Sequence, residues 1–390
     1  MDCSIKLTSA STKVAGLAAI FLILPIIGFG DEVERSKPMV KESEREFKWM
    51  IFPAILYNSD FGLGGAATFA AGDPEAKYFT FRGSYSGKER QRFEPRYSHR
   101  KLFGTKDRLE IELEFLKQET ELFDATDSAR HDAIGSYRER TVSAELAWHT
   151  KFTASWEYGA RYEFSYSRCS DVLPVEDVSL SDRAMVDELR REIIGSRGSS
   201  ISPFFRSDTR DKEVNPSKGR YYDFCLTLAR KEIGGKENYA KLGFDLRHYL
   251  NPGGGRHVFA FRTRTGCSTA NVPYHAKFRL GGQESMRGYP WERFIGTRES
   301  LFNAEYRLTL FKELPFFVPN KRWEYGITLF VDSSRAWDKG DELSSLNDFS
   351  LSYGIGQRLY FPPVMVFRFD YGTAARGEST GFYICASHLF

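Results

Sequence analysis

Residues 278–298, FRLGGQESMRGYPWERFIGTR, carry the arginine whose surroundings are most unusual. Gly281, Gly282 and Gly288 admit backbone angles that substituted residues resist, and Pro290 has no N–H for a ladder, so this stretch is a large loop. Arg287 stands inside it as a permanent cation. The chemistry open to it is charge pairing, and its partners depend on which carboxylates the neighbouring strands turn toward it. A second charged group, Asp208, Arg210 and Asp211, precedes Pro216 and Gly219, which is the composition of a polar turn. Catalysis has little to stand on. The seven histidines, at 99, 131, 149, 248, 257, 275 and 388, are dispersed, and there is no His-Glu-x-x-His, phosphate loop or nucleophile elbow. Cysteines at 3, 169, 225, 267 and 385 lack metal spacing and a readable disulfide framework. The expectation is a protein that is not an enzyme and uses no cofactor or metal.

The elements that must position these residues are strands. From Lys48 onward the dominant pattern is period-two alternation, which sends successive side chains to opposite sheet faces. Leu109, Ile111, Leu113 and Phe115 alternate with Glu110, Glu112 and Glu114, and Trp156, Tyr158, Ala160, Tyr162, Phe164 and Tyr166 alternate with Glu157, Gly159, Arg161, Glu163 and Ser165. Such segments fall near 48–58, 61–71, 77–86, 90–102, 106–118, 137–150, 154–167, 197–208, 219–231, 238–250, 255–267, 299–311, 322–333, 351–361, 364–371 and 381–390. About sixteen strands of roughly ten residues predict an all-β, antiparallel transmembrane barrel. Connections after even-numbered strands are short, as at Gly72-Asp73-Pro74 and Pro362-Pro363. Those after odd-numbered strands include 119–136, 168–196, 268–298, 334–348 and 372–380. A soluble sandwich would not sort its loops by parity, whereas a barrel with periplasmic turns and extracellular loops does.

Composition agrees. The chain has 33 Phe, 20 Tyr and 33 Gly, more than a typical globular chain uses. Lys6 and Lys13, the apolar run Val14 to Ile27 and the small residues Gly28-Phe29-Gly30 predict an export signal over 1–30. Residues 31–47 form a short periplasmic lead-in, and 48–390 the barrel. After Gly30 no apolar stretch is long enough for a helical span. Basic and acidic residues number 55 and 52, for a net charge of +3, which argues against a nucleic-acid partner.

Parity then selects the carboxylates. On the twelfth strand Phe302, Ala304, Tyr306, Leu308 and Leu310 form the apolar set, so Asn303, Glu305 and Arg307 face the lumen. On the thirteenth, Trp323, Tyr325, Ile327, Leu329 and Val331 face lipid, so Asp332 also points inward.

Gly281-Gly282-Gln283-Glu284-Ser285-Met286-Arg287-Gly288-Tyr289 resembles the sixth extracellular loop of the BamA/TamA superfamily, the bacterial surface antigen barrels, which include outer-membrane protein insertases and two-partner-secretion transporters. Further matches are Asp208-Thr209-Arg210-Asp211 with Asn215-Pro216-Ser217-Lys218-Gly219, Asn303-Ala304-Glu305-Tyr306-Arg307, Leu329-Phe330-Val331-Asp332, Gly354-Ile355-Gly356-Gln357-Arg358 and Phe367-Arg368-Phe369-Asp370-Tyr371-Gly372. The resemblance covers Ile201 to Phe390 most closely. It implies that the loop between strands eleven and twelve folds into the lumen and that Arg287 meets Glu305, Asp332 or both, with Gly288 allowing the bend and Tyr289 packing beside it, as a structural lock. It also implies a periplasmic turn at Asp208, Arg210, Asp211, Pro216 and Gly219. The aromatic end at Phe390 is similar to the terminal strand signal read by the barrel assembly machinery, and as physics it would be an interfacial anchor. Family insertases carry POTRA domains before the barrel, and about seventeen residues stand there in this chain, so a barrel-only member is expected, working with a separately encoded periplasmic partner if it has one. The expected setting is the outer-membrane lipid, as a monomeric barrel that assists insertion or translocation of proteins or lipids. The alternative is a passive pore or structural barrel gated or plugged by the 268–298 loop.

Overall fold

The computed structural model describes residues 48–73, 76–123, 132–176, 179–193, 195–315, 322–338, 348–361, 365–377, 379–386 and 389–390. The expected export signal and the lead-in lie outside these residues. The alternating segments form long antiparallel strands: β1 (Lys48–Asn58), β2 (Gly62–Gly72), β3 (Lys77–Ser86), β4 (Gln91–Arg100), β5 (Asp107–Leu122), β6 (Gly135–Lys151), β7 (Trp156–Pro174), β8 (Ser196–Asp208), β9 (Gly219–Ala229), β10 (Tyr239–Leu250) and β11 (His257–Ser268). A two-stranded ribbon, β12 (Phe278–Leu280) and β13 (Phe294–Gly296), interrupts the series. It resumes with β14 (Arg298–Pro315), β15 (Arg322–Trp337), β16 (Ser350–Phe361), β17 (Met365–Ala374) and β18 (Thr380–Cys385). All but the ribbon pair with their neighbours in sequence, and β18 returns to β1, giving a closed barrel of sixteen strands. β14 and β15 are thus the twelfth and thirteenth strands of the wall.

The alternation places apolar side chains outward, with Leu113 48%, Val142 53%, Tyr166 54% and Leu329 50% exposed, as a lipid-facing belt requires. Ionised side chains face inward, where Arg96 pairs with Glu112, and Arg206 lies 3.2 Å from Glu157 and 3.1 Å from Asp223.

The extracellular mouth is covered. Within the interval read as a plain loop, residues Leu180–Ile193 form α1. Ser179 Oγ caps its start by accepting the Asp182 N–H at 3.1 Å, and Arg190 and Arg191 sit in its last turn, where a cation is favoured. Val186 and Ile193, at helical spacing, pack with Leu122, Ile134, Tyr137, Val172 and Tyr274 into an apolar cluster over the barrel end.

The closing seam is irregular. Among the described residues, the ladder between β1 and β18 consists of Tyr57↔Ile384 and Asn58↔Tyr383. Ser59 extends it at the extracellular end, its hydroxyl accepting the Phe382 N–H at 2.7 Å. Below this point the two edges slide past each other. Phe52, Ala54 and Leu56 occupy the lumenal parity of β1, and Trp323, Phe361 and Phe367 the lipid-facing parity of β15, β16 and β17. Yet Ala54, Trp323, Phe361 and Phe367 form one buried cluster, with Phe52, Leu56 and Phe369 packed against it. The inner face of β1 therefore lies over the outer face of these strands. Trp323, expected to face lipid, is on that face but is covered, at 9% exposed.

The expected terminal strand 381–390 is also corrected. β18 stops at Cys385, and Leu389 and Phe390 turn into the lumen to pack on Tyr249 and Ala260. Phe390 is 4% exposed and thus is not an interfacial anchor. Arg307 fixes it there, Nη2 donating to the Phe390 main-chain oxygen at 3.2 Å with the guanidinium 5.4 Å from its ring.

Candidate functional site

The site is built by a loop stem, a glycine bend and four strands of wall. β12 and β13 pair Phe278↔Gly296 through Leu280↔Phe294 and project residues 281–293 into the lumen. Gly281 and Ser285 close the tip, the serine hydroxyl accepting the Gly281 N–H at 2.8 Å and donating to the Gly281 carbonyl at 2.9 Å. Leu280, Met286, Tyr289, Phe294, Leu301 and Ala374 form the apolar seat of the tip. Gly288 has φ +92°, and a Cβ there would stand 2.8 Å from the Thr373 nitrogen of β17, so only glycine permits the tip to approach the wall this closely.

Arg287 is fully buried. Its Nε and Nη2 donate in a fork to Asp332 Oδ2 and Oδ1, each at 2.8 Å, and Nη1 donates to Glu305 Oε1 at 2.6 Å. Its backbone N–H adds a bond to Asp332 at 3.2 Å. The guanidinium carbon stands 3.5 Å from the centre of the Phe330 ring, a lumen-facing aromatic on β15. Asp332 accepts its remaining bond from Asn303 Nδ2 at 2.8 Å, so both oxygens are satisfied without water.

The network is larger than the parity argument identified. Asp370 on β17 lies 3.4 Å from Arg287 and 2.5 Å from Arg358 on β16, while Arg368 approaches Asp370 at 3.3 Å. Arg307 holds the second oxygen of Glu305 at 2.7 Å. Three carboxylates and four guanidinium groups are thus interleaved at side-chain exposures of 7% or less, an arrangement whose stability depends on every partner being present. The signal for Asp370 was in the sequence. Arg368 and Asp370 alternate with Phe367, Phe369 and Tyr371, so the same parity sends both inward. Tyr383 carried no such signal, because tyrosine is at home on either face of a barrel wall.

Tyr383 and its neighbours connect the loop to the closing strand. The Gly288 N–H donates to Tyr383 Oη at 3.1 Å, Ser379 Oγ donates to the Gly288 carbonyl at 2.5 Å, and Cys385 Sγ lies 3.0 Å from Gln283 Oε1. Tyr289 packs against Phe294, with ring centres 5.2 Å apart. On the extracellular side the Trp291 N–H donates to Asp60 Oδ1 at 3.1 Å in the turn after β1. Arg90 covers the rings of Phe61 and Trp291 at 4.3 and 4.7 Å. Burial of Asp60 pushes its carboxyl up to about 6, against the Trp291 N–H, which lowers it. The loop is therefore bonded to β18 and to the turn that follows β1.

The turn between β8 and β9 is a separate structure on the periplasmic side. Arg210 Nε and Nη2 donate to Asp208 Oδ1 and Oδ2 at 3.0 and 2.7 Å. Asp211 accepts the N–H groups of Ser217 and Lys218 at 2.8 and 3.1 Å and the Ser217 hydroxyl at 2.6 Å. Burial alone would raise the Asp211 carboxyl, but these donors outweigh it and hold it below the usual range. Pro216 is buried, and Gly219, at φ +102°, sits where a Cβ would be 2.2 Å from the Thr209 carbonyl oxygen. Lys212 reaches to 5.5 Å from the ring of Tyr360 on β16, so the turn lies across the barrel mouth. Asp208, Arg210 and Asp211 do not meet Arg287. The four described cysteines are free thiols, and no group of His, Cys, Asp and Glu among the described residues is arranged to hold a metal.

The Omp85 superfamily domain matches residues 75–388 of the chain. Among solved structures, the fold is similar to BamA from Haemophilus ducreyi lacking POTRA domains 1–3, at 15% identity and a TM-score of 0.61, covering 92% of this chain and 76% of that one. It is similar to CdiB from Acinetobacter baumannii, at 14% identity and a TM-score of 0.53, covering 88% of this chain and 60% of that one. For CdiB from Escherichia coli the values are 9%, 0.56, 94% and 67%. No curated protein matches the sequence.

Proposed function

Because the chain belongs to the Omp85 superfamily, and is by that membership a bacterial outer-membrane barrel, we propose that it assists the insertion or translocation of other molecules at a seam between β1 and β18. The observation that carries the reading is the two-pair ladder at that seam, against six pairs between β17 and β18. An edge strand with unpaired N–H and C=O groups is a template for pairing with another chain. The lumenal loop supports the same reading from the other side, since it holds the closing strand from within, while β1 below Tyr57 has no ladder partner at the seam among the described residues. Polypeptide is the substrate class that this edge suits best, because its backbone supplies the missing ladder partners.

Reconstitution tests it. The barrel is placed in liposomes with a urea-unfolded outer-membrane barrel as client, and the seam is closed by a disulfide between cysteines substituted at Tyr57 and Ile384. The unlocked barrel should accelerate client folding, and oxidation should abolish the gain until reductant restores it. Equal acceleration with the seam locked would refute the role of the seam. Planar-bilayer recording examines the passive-pore alternative. A lumen crossed by residues 281–293 should give no steady open conductance.

A further inference from the structure

Three cations face lipid in one row across three adjacent strands. Lys117 on β5 stands directly opposite Arg140 on β6, and Arg140 directly opposite Arg168 on β7. All three share the outward parity of Phe115, Val142 and Tyr166, which lie one step nearer the membrane centre and are 37%, 53% and 54% exposed. Like charges placed directly opposite each other destabilise a sheet, so this row opposes its own fold unless an anion lies among the side chains. The protein supplies little of one. Lys117 Nζ is 2.9 Å from the exposed Glu89. Arg138, one step further out, is engaged by Asp171 and Glu119 at 3.3 and 3.9 Å. Among the described residues, Arg140 and Arg168 have no carboxylate within ion-pair distance. Arg197 on β8, directly opposite Tyr166, adds a further exposed cation. Toward the extracellular ends of β10 and β11 the outward positions are Leu242 and Cys267. The outward cations there on β14 and β15, Arg298 and Arg335, stand opposite Cys267 and Ser300, and Asp348 engages Arg335 at 2.7 Å, so directly opposed outward cations occur on β5 to β7 and not on these four strands.

We propose that Lys117, Arg140 and Arg168, flanked by Arg197, bind the phosphorylated headgroup of an outer-leaflet lipid. The extracellular end of the apolar belt is the depth of that leaflet's headgroups. Guanidinium forks match phosphate oxygens in pairs, and Phe115, Val142 and Tyr166 receive the acyl chains of the same molecule. A free phosphate ion would use the cations alone and gain nothing from the belt beneath them.

Native mass spectrometry of the folded, detergent-solubilised barrel tests the site, with a bis-phosphorylated lipid A glycolipid as the probe. Removing two membrane-surface cations in Arg140→Gln/Arg168→Gln should weaken retention of that lipid about thirtyfold. The charge-preserving Arg140→Lys/Arg168→Lys pair should keep most of it, which separates loss of charge from loss of fold. The dephosphorylated glycolipid should bind the original barrel as weakly as the phosphorylated one binds the glutamine variant. Equal retention by the original and glutamine barrels, or no preference for the phosphorylated lipid, would overturn the proposal. Displacement of the lipid by an equal concentration of inorganic phosphate would overturn the lipid assignment.

Discussion

Replacing Arg287 by alanine should be among the most damaging single changes in this barrel. Among the described residues, Asp332 has no other charged partner within bonding distance. Its remaining donors are the Asn303 amide and the backbone N–H of residue 287. Glu305 keeps Arg307, and Asp370 keeps Arg358 and Arg368. The loss therefore falls on one buried carboxylate, and stranding such a charge costs about 3–5 kcal/mol. That corresponds to a factor of roughly 160 to 5,000 in the folding equilibrium. The contact of the guanidinium with Phe330 is lost as well. The assay is the heat- and urea-dependence of folded-barrel mobility on gels, with samples held in the same lipid. Arg287→Ala should unfold at markedly lower urea, and Arg287→Lys should fall between, because an ammonium serves Asp332 or Glu305 but does not fork. The decisive variant is Arg287→Ala/Asp332→Asn, which removes the stranded charge and should recover a large part of the loss. If the double variant is no better than the single one, or if Arg287→Ala is indistinguishable from the original barrel, the charge argument is wrong.

Asp60 provides a pH test. Its folded-state value near 6 lies above the ordinary 3.8, so its contribution is fully present below about pH 4 and is lost as pH rises to 6. Asp60→Asn keeps the acceptor for the Trp291 N–H and should flatten that part of the profile, gaining on the order of 2–3 kcal/mol over the original at pH 7; parallel profiles for the two proteins would count against it. Tyr383→Phe removes the hydroxyl between Gly288 and the closing strand, and hydrogen exchange should quicken in β18 with little change in β5 to β7. Phe390→Ala empties the lumenal site on Tyr249 and Ala260, at a local cost of about 3–5 kcal/mol. Limited proteolysis should then clip the residues after Cys385 while the barrel stays folded, and an uncut tail would show that the contact with Phe390 is not what holds it.

Much of the architecture was legible because a barrel wall repeats one physical rule. Leu109 to Phe115 states it in seven residues, and the same parity sends Glu305 and Asp332 inward. Where β bonding ends was less legible. Gly381 to Phe390 alternates weakly and reads as one more strand, yet the ladder stops at Cys385. The tail gains more by burying Phe390 against Tyr249 than by extending a two-pair seam. The helix Leu180–Ile193 was missed for a different reason, since Val186, Leu189 and Ile193 are a modest apolar stripe in a segment dominated by charge. The covering of Trp323 by β1 left no mark in either strand, because the side that meets protein and the side that meets lipid call for the same residues.

That last equivalence has an energetic consequence. Acyl chains are as apolar as leucine side chains, so in a bilayer there is no water-driven preference for protein over lipid against Trp323, Phe361 and Phe367. If β1 swings away, lipid replaces it on that surface at nearly equal free energy, and the seam bonds given up are those of Tyr57, Asn58 and Ser59. The overlap should therefore respond less to hydrophobicity than to the thickness and lateral packing of the membrane, which set how readily acyl chains fill the space that the strand vacates.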